Sequence, residues 1–267
     1  MKNCFKFIRL VFILILLALT VSLSISADDA GGPDPQPQYP EGQEILKARS
    51  EYIKVFRDSH QVDTIYISSN PLHYRDSHGQ WQEISTDLEE VDSDIATDED
   101  NQRFGYRSLA NTCQAFLPRH TQGWTQLRSG GHRLSFKLAA SGQKFYNKRK
   151  DGIFVSGLLP KCDLSLTVRP GGIKEEITLR DRSAPREFEY LIRPNGLTAE
   201  KTPEGAILFK DSQGNTVFYM PPFFMFDANS AYSEDIQVSL TETNNGYRLK
   251  VVPDGAWLDN SGRQYPV

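Results

Sequence analysis

Leu164-Ser165-Leu166-Thr167-Val168, then Arg169-Pro170-Gly171-Gly172, then Ile173-Lys174-Glu175-Glu176-Ile177-Thr178-Leu179 is the stretch whose reading decides the fold class. The first run alternates apolar and polar residues, and a Pro-Gly-Gly cluster separates it from a second β-prone run. A period of two puts one set of side chains on a buried face and the other in water. Pro and Gly supply the turn between the runs.

The same grammar extends in both directions. Upstream lie the runs 113–117, 134–138 and 152–155, with the turn cluster Ser129-Gly130-Gly131-His132 among them. Nearer the start, 52–56 and 62–67 frame the turn Asp58-Ser59-His60-Gln61, and 71–75 and 81–84 frame Asp76-Ser77-His78-Gly79. Downstream come 188–192, 206–209, 216–219, 236–240 and 247–252. No stretch sustains helical periodicity over about 12 residues. Many short strands at this spacing predict an all-β protein with a multi-stranded antiparallel, β-sandwich-like body, built as one unit or as two packed halves dividing near residue 170. The expected core includes Ile65, Ile67, Trp81, Phe136, Leu138, Ile177, Leu179, Phe218, Leu249, Val251 and Trp257. One echo bears on the two-halves reading: Tyr74-Arg75-Asp76-Ser77-His78-Gly79 resembles Phe209-Lys210-Asp211-Ser212-Gln213-Gly214. It marks either a duplication or two hairpins sharing one turn chemistry.

The N-terminus has the form of a secretion signal. Residues 1–27 carry Lys2, Lys6 and Arg9, an apolar run over 10–19, and small residues at Ser24, Ser26 and Ala27. That order is expected of a cleaved signal peptide, with an uncleaved membrane anchor as the alternative. Residues 28–50 read as a proline-rich linker with a short helical lead-in at 44–50, and residues 51–267 as the β-rich module. The expected location is therefore secreted or at the cell surface. Any membrane contact would come through the N-terminal segment.

Composition narrows the function. The 267 residues are 39% hydrophobic and 24% charged, with a net charge of -4. Removal of the three N-terminal bases leaves 27 basic against 34 acidic residues. A mildly acidic chain has no evident nucleic-acid footprint, so no nucleic-acid partner is expected. Cys113 and Cys162 remain after the signal, either as a disulfide closing a loop of about 49 residues or as two buried thiols in different strands.

No constellation for catalysis emerges, and no cofactor is expected. The five histidines, His60, His73, His78, His120 and His132, form neither H-x-H with a nearby acid nor H-E-x-x-H, so no metal site is expected. His73 and His78 flank one turn and are expected as surface or strand-pair histidines. The acidic run Asp92–Asp100 is interrupted by Ile95 and Ala96 and lacks the glycine of a calcium loop, so it reads as a solvated loop. Ser129 sits beside Gly130-Gly131-His132, but no positioned base is implied by adjacency. Glu175, Glu176, Glu187 and Glu189 lie near strands and are candidates for a glycosidase pair, but read instead as charges on a wet sheet face. Trp124, in the polar context Gln122-Gly123-Trp124-Thr125, is the candidate aromatic platform for a ligand, with a core position as its alternative.

Four ordered blocks carry a family resemblance: 71–84, 172–179, 203–228 and 247–258 with the terminal Tyr265-Pro266-Val267. Together they resemble the N-terminal module of secreted Rhs/YD-repeat, wall-associated bacterial surface proteins. The resemblance implies a β-rich, non-catalytic module at the cell surface, touching cell-wall polysaccharide or surface proteins. In that family the module precedes further β-domains, repeats and a variable effector. The present sequence stops at Val267, so the expectation is a lone module or a fragment of a longer protein. A carbohydrate-binding module using exposed aromatics is the second reading, and a glycan-active enzyme the third.

Overall fold

The computed structural model describes residues 38–91 and 103–267, and every structural statement below concerns those residues. The signal segment, most of the proline-rich linker and the acidic run at 92–100 lie outside them. Among the described residues no helix is long and apolar enough to cross a membrane.

The protein is all-β. Its spine is an eight-stranded antiparallel sheet in the order β21-β22-β15-β10-β9-β8-β7-β6. These strands are β21 (Ile236–Thr243), β22 (Gly246–Pro253), β15 (Phe188–Arg193), β10 (His132–Leu138), β9 (Thr125–Ser129), β8 (Gln114–Leu117), β7 (Tyr106–Ser108) and β6 (Glu89–Glu90). A second sheet runs β11 (Asn147–Lys148), β12 (Gly152–Leu159), β13 (Cys162–Arg169), β14 (Gly172–Leu179), and a third runs β16 (Thr198–Lys201), β17 (Ile207–Lys210), β18 (Thr216–Met220). Both bury apolar residues against the inner face of the first. One buried cluster joins Tyr106, Ala115 and Leu117 to Ile153, Leu166 and Val168. The other joins Leu134, Leu138, Ile192 and Leu249 to Val155, Leu164, Leu179, Ile207, Phe209 and Phe218. Each such side chain contributes on the order of 1.5–3 kcal/mol by leaving water, which is why the sandwich-like arrangement holds.

β13 shows the alternation in its purest form: Cys162, Leu164, Leu166 and Val168 are buried and the residues between them are not. β12 has to break its period. Gly157, at φ +61°, makes a bulge between Val155 and Leu159, and its N–H donates to Asp163 Oδ1 at 2.7 Å. The extra residue lets Leu158 face the core after Val155.

Residue 170 is no boundary. It lies in the turn joining β13 to β14, which pair along their whole length, and the eight-stranded sheet takes strands from both sides of it. Residues 38–267 form one compact unit.

The smaller elements are β1 (Gln43–Glu44), β2 (Ile53–Arg57) and β3 (Asp63–Ile67) in one sheet, the hairpin β4 (His73–Arg75) with β5 (Trp81–Glu83), and the hairpin β19 (Met225–Phe226) with β20 (Tyr232–Ser233). The lead-in turn is a single 3-10 turn, Leu46–Ala48. The one α-helix, α1 (Gly255–Asp259), is capped by Asp254, whose carboxylate accepts from Trp257 N at 2.7 Å.

The repeated turn proves to be general. At Asp58, Asp76, Asp211 and Asp227 the Oδ1 atom accepts the backbone N–H groups two and four residues on, at 2.8–3.0 Å. The residue three positions on takes the left-handed conformation: Gln61, Gly79, Gly214 and Ser230, with φ of 64°, 74°, 84° and 61°. Four hairpins with this device, two without glycine, make it shared turn chemistry and remove the echo as a sign of duplication.

Several expected core residues sit elsewhere. Ile65 and Ile67 are exposed, at 61% and 72%, because β3 belongs to a small sheet with no layer over that face. Trp81 is half-buried beneath the Arg75 guanidinium, 4.1 Å from the ring centroid, outside both core clusters. Phe136, Ile177 and Trp257 pack against the core from its margin, Trp257 with Arg263 at 3.3 Å over its ring. Leu138, Leu179, Phe218, Leu249 and Val251 are buried as expected. Cys113 and Cys162 are separate, buried thiols in the larger core cluster, not a disulfide. Burial pushes the thiols up, to about 12 and about 11, so both are held protonated.

Candidate functional site

Alternation fixes which side chains leave the core. With Leu134, Phe136, Leu138, Tyr190, Ile192, Leu249 and Val251 turned inward, the residues between them point to the opposite face of the eight-stranded sheet. Five strands there present Arg107, Arg128, Arg133, Lys137, Arg193, Arg248 and Lys250, against Glu89 and Glu189 in the strands and Glu187 just before β15. A chain with net charge -4 thus gathers a basic face.

Among the described residues three acids pair with bases of this face. Glu89 pairs with Arg107 at 3.0 Å, Glu189 with Arg248 at 3.3 Å and Glu187 with Lys250 at 2.8 Å. In the centre, like charges are set side by side. Arg128 and Arg133 are direct cross-strand partners. Lys137 and Arg193 both lie over the Trp124 ring, at 5.0 and 4.1 Å. The Lys137 pKa is lowered, by burial first and then by the Arg193 charge. Beneath these side chains Gln126 and Ser135 are fully buried, bonded to each other at 3.0 Å, and Arg128 Nε donates to Gln126 Oε1 at 2.6 Å. Arg128 also lies 4.0 Å over the Phe116 ring.

At one end this face opens into a groove of about 1060 Å³. The β4–β5 hairpin forms one wall with Tyr74, Arg75 and Asp76, and the sheet forms the other with Gln114, Arg128 and Arg133. The Ser129-Gly130-Gly131-His132 turn makes its rim. Asn111 secures the neighbouring β13–β14 turn by donating to Arg169 O at 2.9 Å and accepting from Gly171 N at 2.8 Å.

The sequence-derived candidates separate on inspection. Trp124 is half-buried and its ring is taken up by two cations, so it belongs to the basic face as a support for charge and offers no bare stacking surface. Ser129 Oγ donates to Thr112 O at 3.4 Å. Glu176 pairs with Lys174 at 3.2 Å. Glu175 faces inward among Tyr190 and Tyr146, and burial raises its pKa to about 7 against the opposing effect of the Tyr190 hydrogen bond. Its Oε1 is enclosed with no hydrogen-bond partner. The four glutamates therefore do not face one another across a cleft.

A second cluster escaped the motif search. His73 on β4 is fully buried, opposite Glu83 on β5. Its Nδ1 lies 2.7 Å from Ser50 O, and since a carbonyl only accepts, Nδ1 carries the proton. Nε2 is buried with no hydrogen-bond partner, 3.6 Å from Glu83 Oε1 and 3.7 Å from Glu44 Oε1. Arg49 bonds Glu44 through Nε and Nη2 at 2.8 Å each and reaches Glu83 at 2.6 Å, and Lys54 Nζ bonds Glu83 at 2.8 and 2.9 Å. The Glu44 carboxyl is held below its ordinary pKa, chiefly by the Arg49 hydrogen bond. His78, across the turn, is exposed and takes no part.

In comparisons with known proteins no family model, no curated protein and no solved structure matches the chain, so its own geometry carries the functional reading.

Proposed function

We propose that this protein is a non-catalytic, secreted or cell-surface interaction module whose contact surface is the basic face of the eight-stranded sheet, and that it takes an anionic polysaccharide. The observation that carries this reading is the gathering of bases from five strands on that face, with Lys137 and Arg193 both over the Trp124 ring. A surface on which bases are concentrated in this way attracts a polyanion. The signal-like N-terminus and the resemblance to wall-associated surface modules favour an extracellular glycan. Nucleic acid is the less favoured polyanion, because stacking of bases needs bare aromatic faces and Arg128 and Arg193 lie over those of Phe116 and Trp124.

The test is binding of polygalacturonate, a carboxylated polysaccharide, with dextran as neutral control and a single-stranded oligothymidylate as the nucleic-acid control. The expected result is polygalacturonate binding that weakens as salt rises and falls at least tenfold in the Arg128→Glu/Arg133→Glu double variant, with no dextran binding. Equal binding by variant and wild type would overturn the assignment of the face. Tighter binding of the oligothymidylate would overturn the choice of ligand, and release of reducing ends would overturn the non-catalytic reading.

A further inference from the structure

We propose that Glu44, His73 and Glu83 form a binding site for a divalent first-row transition ion of the Zn²⁺ type. One ligand atom from each residue, Glu44 Oε1, His73 Nε2 and Glu83 Oε1, lies within 4.8 Å of the others. Zinc bonds of about 2.0–2.2 Å in a tetrahedron imply ligand separations of about 3.4 Å. The imidazole nitrogen is 3.6 and 3.7 Å from the two oxygens, too long for hydrogen bonds and close to that spacing.

The histidine is the decisive member. Its Nδ1–H is spent on Ser50 O, which fixes the ring and leaves the Nε2 lone pair directed at two carboxylates. A buried imidazole nitrogen facing two carboxylates is unfavourable unless a proton or a metal ion lies between them. Backbone-anchored Nδ1 with a metal on Nε2 is the usual arrangement of ligating histidines. Imidazole with two carboxylates selects a borderline ion over calcium or magnesium, which take oxygen donors. Arg49 and Lys54 orient the carboxylates through hydrogen bonds to Glu44 Oε1 and Glu83 Oε1, the oxygens that would face the ion. Their two positive charges also oppose the ion, so the site is expected to be one of moderate affinity.

The ion would tie three separate elements: β1 through Glu44, β4 through His73 and β5 through Glu83. These belong to small sheets, each too small to be stable alone, where a metal staple acts most effectively.

The experiment is calorimetric titration of the chelator-treated full chain with ZnCl₂, alongside CoCl₂ followed by visible absorption, with CaCl₂ and MgCl₂ as controls. One equivalent of Zn²⁺ is expected to bind, Co²⁺ to develop a d–d band, and calcium and magnesium to be at least tenfold weaker. Glu83→Gln is the first variant, since that side chain is half-exposed and the amide oxygen can still accept from Lys54 and Arg49. It should weaken Zn²⁺ at least tenfold while circular dichroism is unchanged. His73→Gln should abolish the cobalt band, and His78→Ala, which touches the same hairpin outside the cluster, should keep it. No stoichiometric Zn²⁺ uptake, or uptake unaltered in Glu83→Gln, would overturn the site. So would a nitrogen NMR spectrum showing that His73 Nε2 stays protonated near neutral pH with Zn²⁺ present.

Discussion

The sandwich and the N-terminal hairpins use the same turns and strands of similar length, yet they are held by different forces. In the sandwich, strand after strand turns its apolar set onto a facing sheet, and Leu117, Ile153, Ile207 and Phe209 are completely enclosed. In the N-terminal sheet no such partner exists. Ile65 and Ile67 face water, Lys54 is buried instead, and Arg49, Lys54, Glu44, Glu83 and His73 form the structural centre. Local sequence builds a strand, but the layer that lands on it determines whether burial or charge pairing stabilises it.

The sharpest way to break this comparison is to empty the sandwich. Phe209→Ala should cost about 4 kcal/mol through lost transfer energy and the cavity left behind, read as a lower urea midpoint. Next is Asp227, 3% exposed, which accepts from Asn229 N, Ala231 N, Gln264 N and Arg263 and so pins the C-terminal segment to the β19–β20 turn. Burial alone would raise its pKa, but these bonds outweigh it and hold the carboxyl at about 2. Asp227→Ala should cost about 3 kcal/mol, since it leaves Arg263 buried without its counter-ion, and should show as a lower thermal midpoint.

Glu175 sharpens the contrast because it is a carboxyl placed on the apolar side of the sandwich. Its folded pKa, about 7, lies above the ordinary 4.5. Between those values the unfolded chain binds fewer protons than the folded one, so stability is full below about pH 4.5 and is lost as pH rises through 7. Glu175→Gln removes that loss. Urea titrations should show the variant about 3 kcal/mol more stable than wild type near pH 8 and equal to it near pH 4. The smallest effect belongs to the N-terminal sheet: Ile67→Thr should shift stability by no more than about 0.5 kcal/mol. A loss as large as that of Phe209→Ala would mean a layer covers β3 after all.

Much of the strand pattern was legible before the structure. The hairpins at 52–67 and 71–84 stand where their Asp turns put them, because an Asp that binds two later N–H groups dictates the strand register on both sides. That register also places His73 opposite Glu83, a pairing readable from the turn although the motif search, confined to sequential spacing, passed over it. Glu44 was not readable, because it arrives on a separate strand with nothing in its own neighbourhood to point at His73. Nor was the exposure of Ile65 and Ile67, since alternation defines two faces of a strand without saying which is covered.

The amino-acid sequence alone determined the all-β class, the turns and the parity of each strand, because these depend on dihedral preferences and side-chain period within a few residues. Tertiary structure alone decided that β10 lies beside β15 and β15 beside β22, and so that bases from five strands meet on one face. Net charge is a sum without positions, whereas an electrostatic field depends on distance, and those distances exist only once strands far apart in the chain have paired.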